Sequence, residues 1–226
     1  PDRLDGQGRS RVVPVLIQAE GAGHAREVRR APQRLRHLVR GRRAGALHGL
    51  DQRGQVFGTQ MTDQVAGGTG ARSHKDGIDN GGIISSLGMA VANVEVNEYF
   101  YPILYLYRRE LPDSGGAGMF RGGNGGEHAF VVYGTPDEVS CSLFSHGVEQ
   151  PTSAGIFGGL PGSTIQFEIV RDADFFRRLD RGLITLTHNE LQGNLEIPPA
   201  KMRTKIRVGD VVRCAYPGGG GYGDPL

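Results

Sequence analysis

The sequence contains no tryptophan, and only two of its 226 residues are cysteine, Cys141 and Cys214. Two cysteines without a CxxC pair exclude a zinc finger and a disulfide-stapled scaffold. No apolar run approaches the roughly 18 residues that a membrane-spanning helix needs, so no membrane partner is expected. No secretory signal is read at the start, and a cytoplasmic protein is the expectation. No Gly-x-x-x-x-Gly-Lys-Ser/Thr loop occurs, and Gly116-Ala117-Gly118 is followed by Arg121 where a dinucleotide fingerprint needs glycine. Both nucleotide signatures therefore fail, and the Gly-x-Ser-x-Gly elbow of a serine hydrolase is missing too.

The first 53 residues lack lysine and aromatics altogether. They hold 12 arginines and five acids, a charge of +7, whereas the remainder carries −5. Three readings of residues 1–46 stand open. A basic arm with Arg26–Arg30 and Arg34–Arg43 would neutralise phosphates. An amphipathic helix over Ala31–Leu50 would align Leu35, Leu38, Val39 and Leu47. A GC-rich coding region read out of frame would also yield this composition. From residue 47 on, the texture is that of a globular enzyme, and nucleic acid is not an expected partner.

Glycine is plentiful: 37 residues, about 16% against the usual ~7%. The glycines lack a three-residue period and cluster at Gly67–Gly70, Asp113–Gly126 and Pro217–Gly223. Such clusters either point backbone N–H groups at an anion or allow close backbone crossings. Short β-prone runs are read at 56–62, 99–107, 127–133, 139–144, 164–170, 183–187 and 211–216. Pro102 inside the second marks it as an edge or bent strand. Apolar spacing suggests one helix over Ile83–Val96. The fold class expected is α+β, mainly β, with short strands joined by glycine-rich turns and few helices.

Four groups of residues invite chemistry. Asp113-Ser114-Gly115 resembles a nucleophile turn if His128, His146 or His188 lies within reach; otherwise it is an ordinary Asx turn. His74, Asp76 and Asp79 could ligate a metal or form a solvated loop. Glu95 and Glu98 share a helix face and could do acid–base work. Arg108, Arg109 and Arg121 could clamp a carboxylate or answer these acids in ion pairs.

In their order and spacing, GGTGARSHKDG (67–77), LPDSGGAGMFRGGNG (111–125) and PGGGGYGDP (217–225) resemble the C-terminal region of the hydantoinase B/oxoprolinase family. Glu95 and Glu98 ahead of Pro102, FGGLPG (157–162) and IPPAK (197–201) fit the same pattern. The resemblance runs from about His48 to Leu226, and residues 1–46 lie outside it. It implies a subunit that hydrolyses a cyclic amide of hydantoin or 5-oxoproline type with ATP, or carboxylates a ketone of acetone or acetophenone type. It implies a hydantoinase A-type partner that binds ATP, and a divalent metal held in the complete complex; neither cofactor is expected on this segment. It implies site roles for Asp76, Glu98, Asp113 and Arg121. The alternative role is a non-catalytic assembly module or truncated remnant. Family members are much longer, so this segment alone is expected to be inactive.

Overall fold

The computed structural model describes residues 43–60, 67–83, 86, 87 and 91–226. The readings made for residues 1–42, and the end of the expected strand 56–62, lie outside them. Two antiparallel sheets dominate. The first has β1 (Arg43–Leu50), β2 (Val56–Gln60), β7 (Val139–Ser145) and β10 (Lys201–Ile206) in the order β10-β7-β1-β2. The second has β5 (Ile103–Glu110), β6 (Gly126–Val132), β8 (Gln166–Arg171), β9 (Asn194–Glu196) and β11 (Val211–Ala215) in the order β5-β6-β11-β8-β9. This is the expected mainly β class.

Alternation explains how the sheets meet. Leu47, Phe57, Cys141, Leu143 and Ile206 of the first sheet join Ile103, Phe130, Phe167, Ile169 and Val212 of the second in one buried core. Side chains alternate between faces, so the opposite side of the second sheet carries Ala129, Val131, Val170 and Val211. Phe175 and Phe176 of α2 (Phe175–Asp180) cover that side. Central strands β6 and β11 are thus buried along their whole length.

Local chemistry sets the element ends. Asp51 turns β1 into β2: its carboxylate accepts N–H bonds from Arg53 and Gln55 at 2.8 Å, while Gly54 adopts φ +74°. Strand β1 occupies 43–50, so that part of the expected Ala31–Leu50 helix is extended, and the boundary anticipated at 46/47 falls within a strand. The helix read over Ile83–Val96 is corrected too. Gly82–Ile83 (β3) pairs with Ser86–Leu87 (β4), and helix α1 spans only Val94–Phe100. Glycine and serine resist the helix on the N-terminal side. The Asn93 side chain caps α1, accepting from Glu95 and Val96 N–H. Pro102 lies immediately before β5, which forms a sheet edge as its proline suggested. The strand read at 183–187 is absent. Glu190 accepts N–H bonds from Leu186 and Thr187 and curls the chain into the helical turn His188–Glu190.

Between the sheets' ends lies a bundle of glycine-rich chains. Segment 217–222 runs through it, with Pro217–Gly221 buried. Gly68 N–H donates to Pro217 O, Ala71 to Gly220 O, Gly116 to Gly219 O, Gly219 to Gly123 O, and Gly221 to Leu160 O. The segment is therefore bonded to four neighbours. A Cβ on Gly219 would lie 1.9 Å from Thr69 O, and one on Gly122 1.9 Å from Gly219 O. Neither glycine has a positive φ; what they supply is the missing side chain.

Gly219→Ala is expected to cost more than about 3 kcal/mol, beyond ordinary overpacking because the obstacle is backbone. Gly58→Ala, at a strand position with nothing within 4 Å, should stay within about 0.5 kcal/mol. Urea denaturation of the two variants checks the contrast.

Candidate functional site

The loop 72–80 and the turn 119–126 lie side by side at the bundle's margin. Arg121 N–H donates to Asp76 Oδ1 at 2.9 Å, and Gly77 N–H to Arg121 O at 2.8 Å. The Arg121 guanidinium forms a two-pronged bond with Asp79, at 2.8 and 3.0 Å. Asp79 Oδ1 also accepts Asn124 N–H at 2.6 Å, and Asn124 Nδ2 donates to Glu110 Oε1 at 2.9 Å. The hydrogen bond from Arg121 holds the Asp79 carboxyl below its ordinary value, burial opposing it weakly. This chain of contacts latches two glycine segments together.

Of the four residues expected to carry roles, the structure brings Asp76 and Arg121 together. Glu98 lies on α1, where its Oε1 accepts Tyr105 N–H at 2.8 Å beside the β5 bulge. Asp113 is exposed in a left-handed turn, φ +55°. The Ser114 hydroxyl is buried, donating to Leu111 O and accepting Gly125 N–H. His128 instead places Nδ1 3.2 Å from the Tyr216 hydroxyl. The nucleophile-turn reading thus gives way to a structural one. Asp79, read only as a metal candidate, is the centre of the latch.

Beside the latch opens a cavity of about 220 Å³ lined by Arg108, Arg109, Glu110, Glu127, His128 and Tyr216, among others. Its charged wall continues into the second sheet. Glu127 is buried between Arg109 and Arg213, whose guanidinium lies 2.6 Å away. Burial alone would raise the Glu127 carboxyl, but the hydrogen bonds from Arg109 and Arg213 outweigh it and lower it. Arg213 also meets Glu168 at 3.2 Å, and Glu168 meets His188 Nε2 at 2.6 Å. Burial pushes the His188 imidazole below its ordinary value. Sequence reading missed Glu127, Tyr216 and Arg213. Their only signal is a charged or polar residue in an otherwise apolar strand.

Neither group implied by the resemblance fits these residues. Among the described residues no three His, Cys, Asp or Glu converge to hold a metal ion. The N–H groups of Gly68, Thr69, Gly116, Gly122, Gly123 and Gly219 are committed between segments, which leaves them unable to cradle phosphates.

Two outcomes test this electrostatic picture. Arg121→Ala should cost about 1 kcal/mol at pH 7, since both latch partners are partly exposed. Asp79 has a depressed native pKa, so its contribution is full above its unfolded value near ~4 and fades as pH falls through the lower native one. The gap between wild type and variant should narrow at pH 3 in urea titrations. Glu127→Gln removes the buried carboxylate that pairs with buried Arg213 and should cost about 3 kcal/mol, read from the denaturation midpoint.

Comparison with known proteins places this architecture. The family model described as hydantoinase B/oxoprolinase matches residues 11–225, beginning inside the arginine-rich segment rather than near His48. The chain is 30% identical over 176 residues to the caprolactamase subunit beta of Pseudomonas jessenii, covering 74% of this chain and 26% of that relative. It is 28% identical over 197 residues to the acetophenone carboxylase delta subunit of Aromatoleum aromaticum, covering 82% and 29%. A nucleotide-free acetone carboxylase structure shares the fold with a TM-score of 0.72 at 22% identity, over 82% of this chain and 26% of that one. The chain thus spans between a quarter and a third of the length of these three relatives. With its glycine bundle, two sheets and matched motifs, the chain belongs to the hydantoinase B/oxoprolinase family.

Proposed function

We propose that this chain is the C-terminal part of a hydantoinase B-type subunit that hydrolyses a cyclic amide with ATP. A hydantoinase A-type subunit or domain supplies the nucleotide site, and a divalent metal sits elsewhere in the complete complex. The observation that carries this reading is the 30% identity to a caprolactamase subunit over 74% of the chain. Caprolactam is itself a cyclic amide, so the named substrate fits the class. A second reading, carboxylation of a ketone, is favoured by the longer match to an acetophenone carboxylase subunit. In both readings these residues serve as a rigid wall. Asp76 and Arg121 fix the loop 72–80, Glu98 fixes β5, and exposed Asp113 presents a carboxylate toward the remainder of the subunit. The reaction takes place in the cytoplasm.

The test is reconstitution of the full-length subunit with its ATP-binding partner. Lactam-dependent ATP hydrolysis that releases an amino acid without bicarbonate is expected. Ketone-dependent incorporation of labelled bicarbonate, with lactams inert, would replace this reading with the second. In the active complex, Asp113→Asn tolerates the same backbone turn and should lower turnover at least tenfold; unchanged turnover removes Asp113 from the site.

A further inference from the structure

Strand β10 is an edge of the first sheet. An edge strand offers backbone groups to another chain unless something covers it. Its sequence, KMRTKI, alternates exposed and covered residues. Lys201, Arg203 and Lys205 project to the outer face, while Ile206 enters the core. The three cations are therefore spaced two residues apart, about 7 Å.

Register fixes what lies beside them. Arg203 stands opposite Ser142, which stands opposite Ala46. Lys205 stands opposite Ser140, which stands opposite His48, with Gly58 beyond. The outer face is thus small at Ser140 and Ser142, carries the exposed Phe144 opposite Lys201, and is cationic along one margin. A trough of about 610 Å³ runs there between His48, Ser140, Ser142, Arg203 and Lys205. Among the described residues of these four strands, no carboxylate occupies the outer face. The acid Glu138 sits just before β7 and pairs with Lys205 at 3.0 Å and with Arg207. Among the described residues, Lys201 and Arg203 have no ion pair. The far end of the strand is already engaged, since Arg171 donates to Lys205 O and to the Thr204 hydroxyl.

We infer that β10 docks an extended acidic segment of a partner polypeptide as an added strand, with its alternate carboxylates over Lys201 and Arg203. Strand addition supplies affinity through main-chain bonds, and the alternate side chains supply selectivity. The cation spacing equals the spacing of alternate side chains on an extended chain. Small Ser140, Ser142 and Ala46 leave room for the incoming side chains. This surface is separate from the cavity at Glu127 and is independent of which reaction the family member performs.

The probe is a fluorescein-labelled peptide of six Thr-Glu repeats, titrated with the 226-residue chain and followed by anisotropy. Binding that weakens about tenfold in Lys201→Gln/Arg203→Gln supports the proposal; both side chains are exposed, and circular dichroism confirms that the fold is retained. The same peptide N-methylated at alternate residues should bind at least tenfold more weakly. Absence of binding overturns the proposal. So does unchanged affinity in the double variant, including the case in which that variant self-associates and the cations serve only as edge protection. Equal binding of the N-methylated peptide overturns strand addition. Equal or tighter binding of a single-stranded oligonucleotide of the same charge overturns the acidic polypeptide in favour of a nucleic acid.

Discussion

Close approach between backbones is the constraint from which the rest of the structure follows. Where segments 67–71, 114–118, 121–125 and 217–222 cross, a single Cβ would fall inside the van der Waals radius of a neighbouring carbonyl. The glycines give up conformational entropy on folding, more than any other residue would. Hydrogen bonds in several directions offset that cost, because the N–H groups of Gly68, Thr69, Gly116, Gly122, Gly123 and Gly219 find acceptors on other segments. The bundle then acts as a rigid body despite having almost no side chains. It fixes where Arg121, Asn124 and Asp79 stand, and the latch among them closes over it.

The second sheet solves a different problem. Strands β6 and β11 are buried on both faces, yet they carry Glu127 and Arg213. A carboxylate there is tolerable only when paired and hydrogen-bonded. Two guanidiniums provide this, and Gln166, Glu168 and His188 extend the network across neighbouring strands. The network links the cavity wall to the turn at His188–Glu190. Charge is spent internally, so the cavity is lined by groups that already hold one another: the Arg109–Glu127 pair and the His128–Tyr216 contact. Such a wall favours fixed geometry over proton transfer.

Much of this was legible in the sequence and some was not. Strands with apolar alternation and turn punctuation, such as 127–133, 139–144 and 211–216, were read within a residue or two of their observed ends, and Pro102 announced an edge. The close-crossing role of glycine was one of two open readings, and committed N–H groups settle it at the positions named. The helix over Ile83–Val96 was misread because apolar spacing ignored Gly81, Gly82 and Gly88. Strand β10 escaped because Lys, Arg and Thr on an edge mask its period. The motif singles out Arg121 and Asp76, which the structure places in contact, but not the role of Asp79: a carboxylate's partner depends on a turn 42 residues away, which no local pattern encodes.

The distribution of charge also bears on what this segment does. The described acids near the glycine bundle are mostly bound: Asp79 to Arg121, Asp76 to a main-chain N–H, and Glu110 to Asn124. A segment that acted as the chemical centre would be expected to leave ionisable groups converging on a common point with displaced pKa values. Here displaced groups such as Glu127, Asp79 and His188 are each explained by a structural partner or by burial. The physical reading is of a scaffold whose stiffness comes from backbone crossings and buried ion pairs. That scaffold holds the loop 72–80 against Arg121 and leaves the Asp113 carboxylate exposed in its left-handed turn.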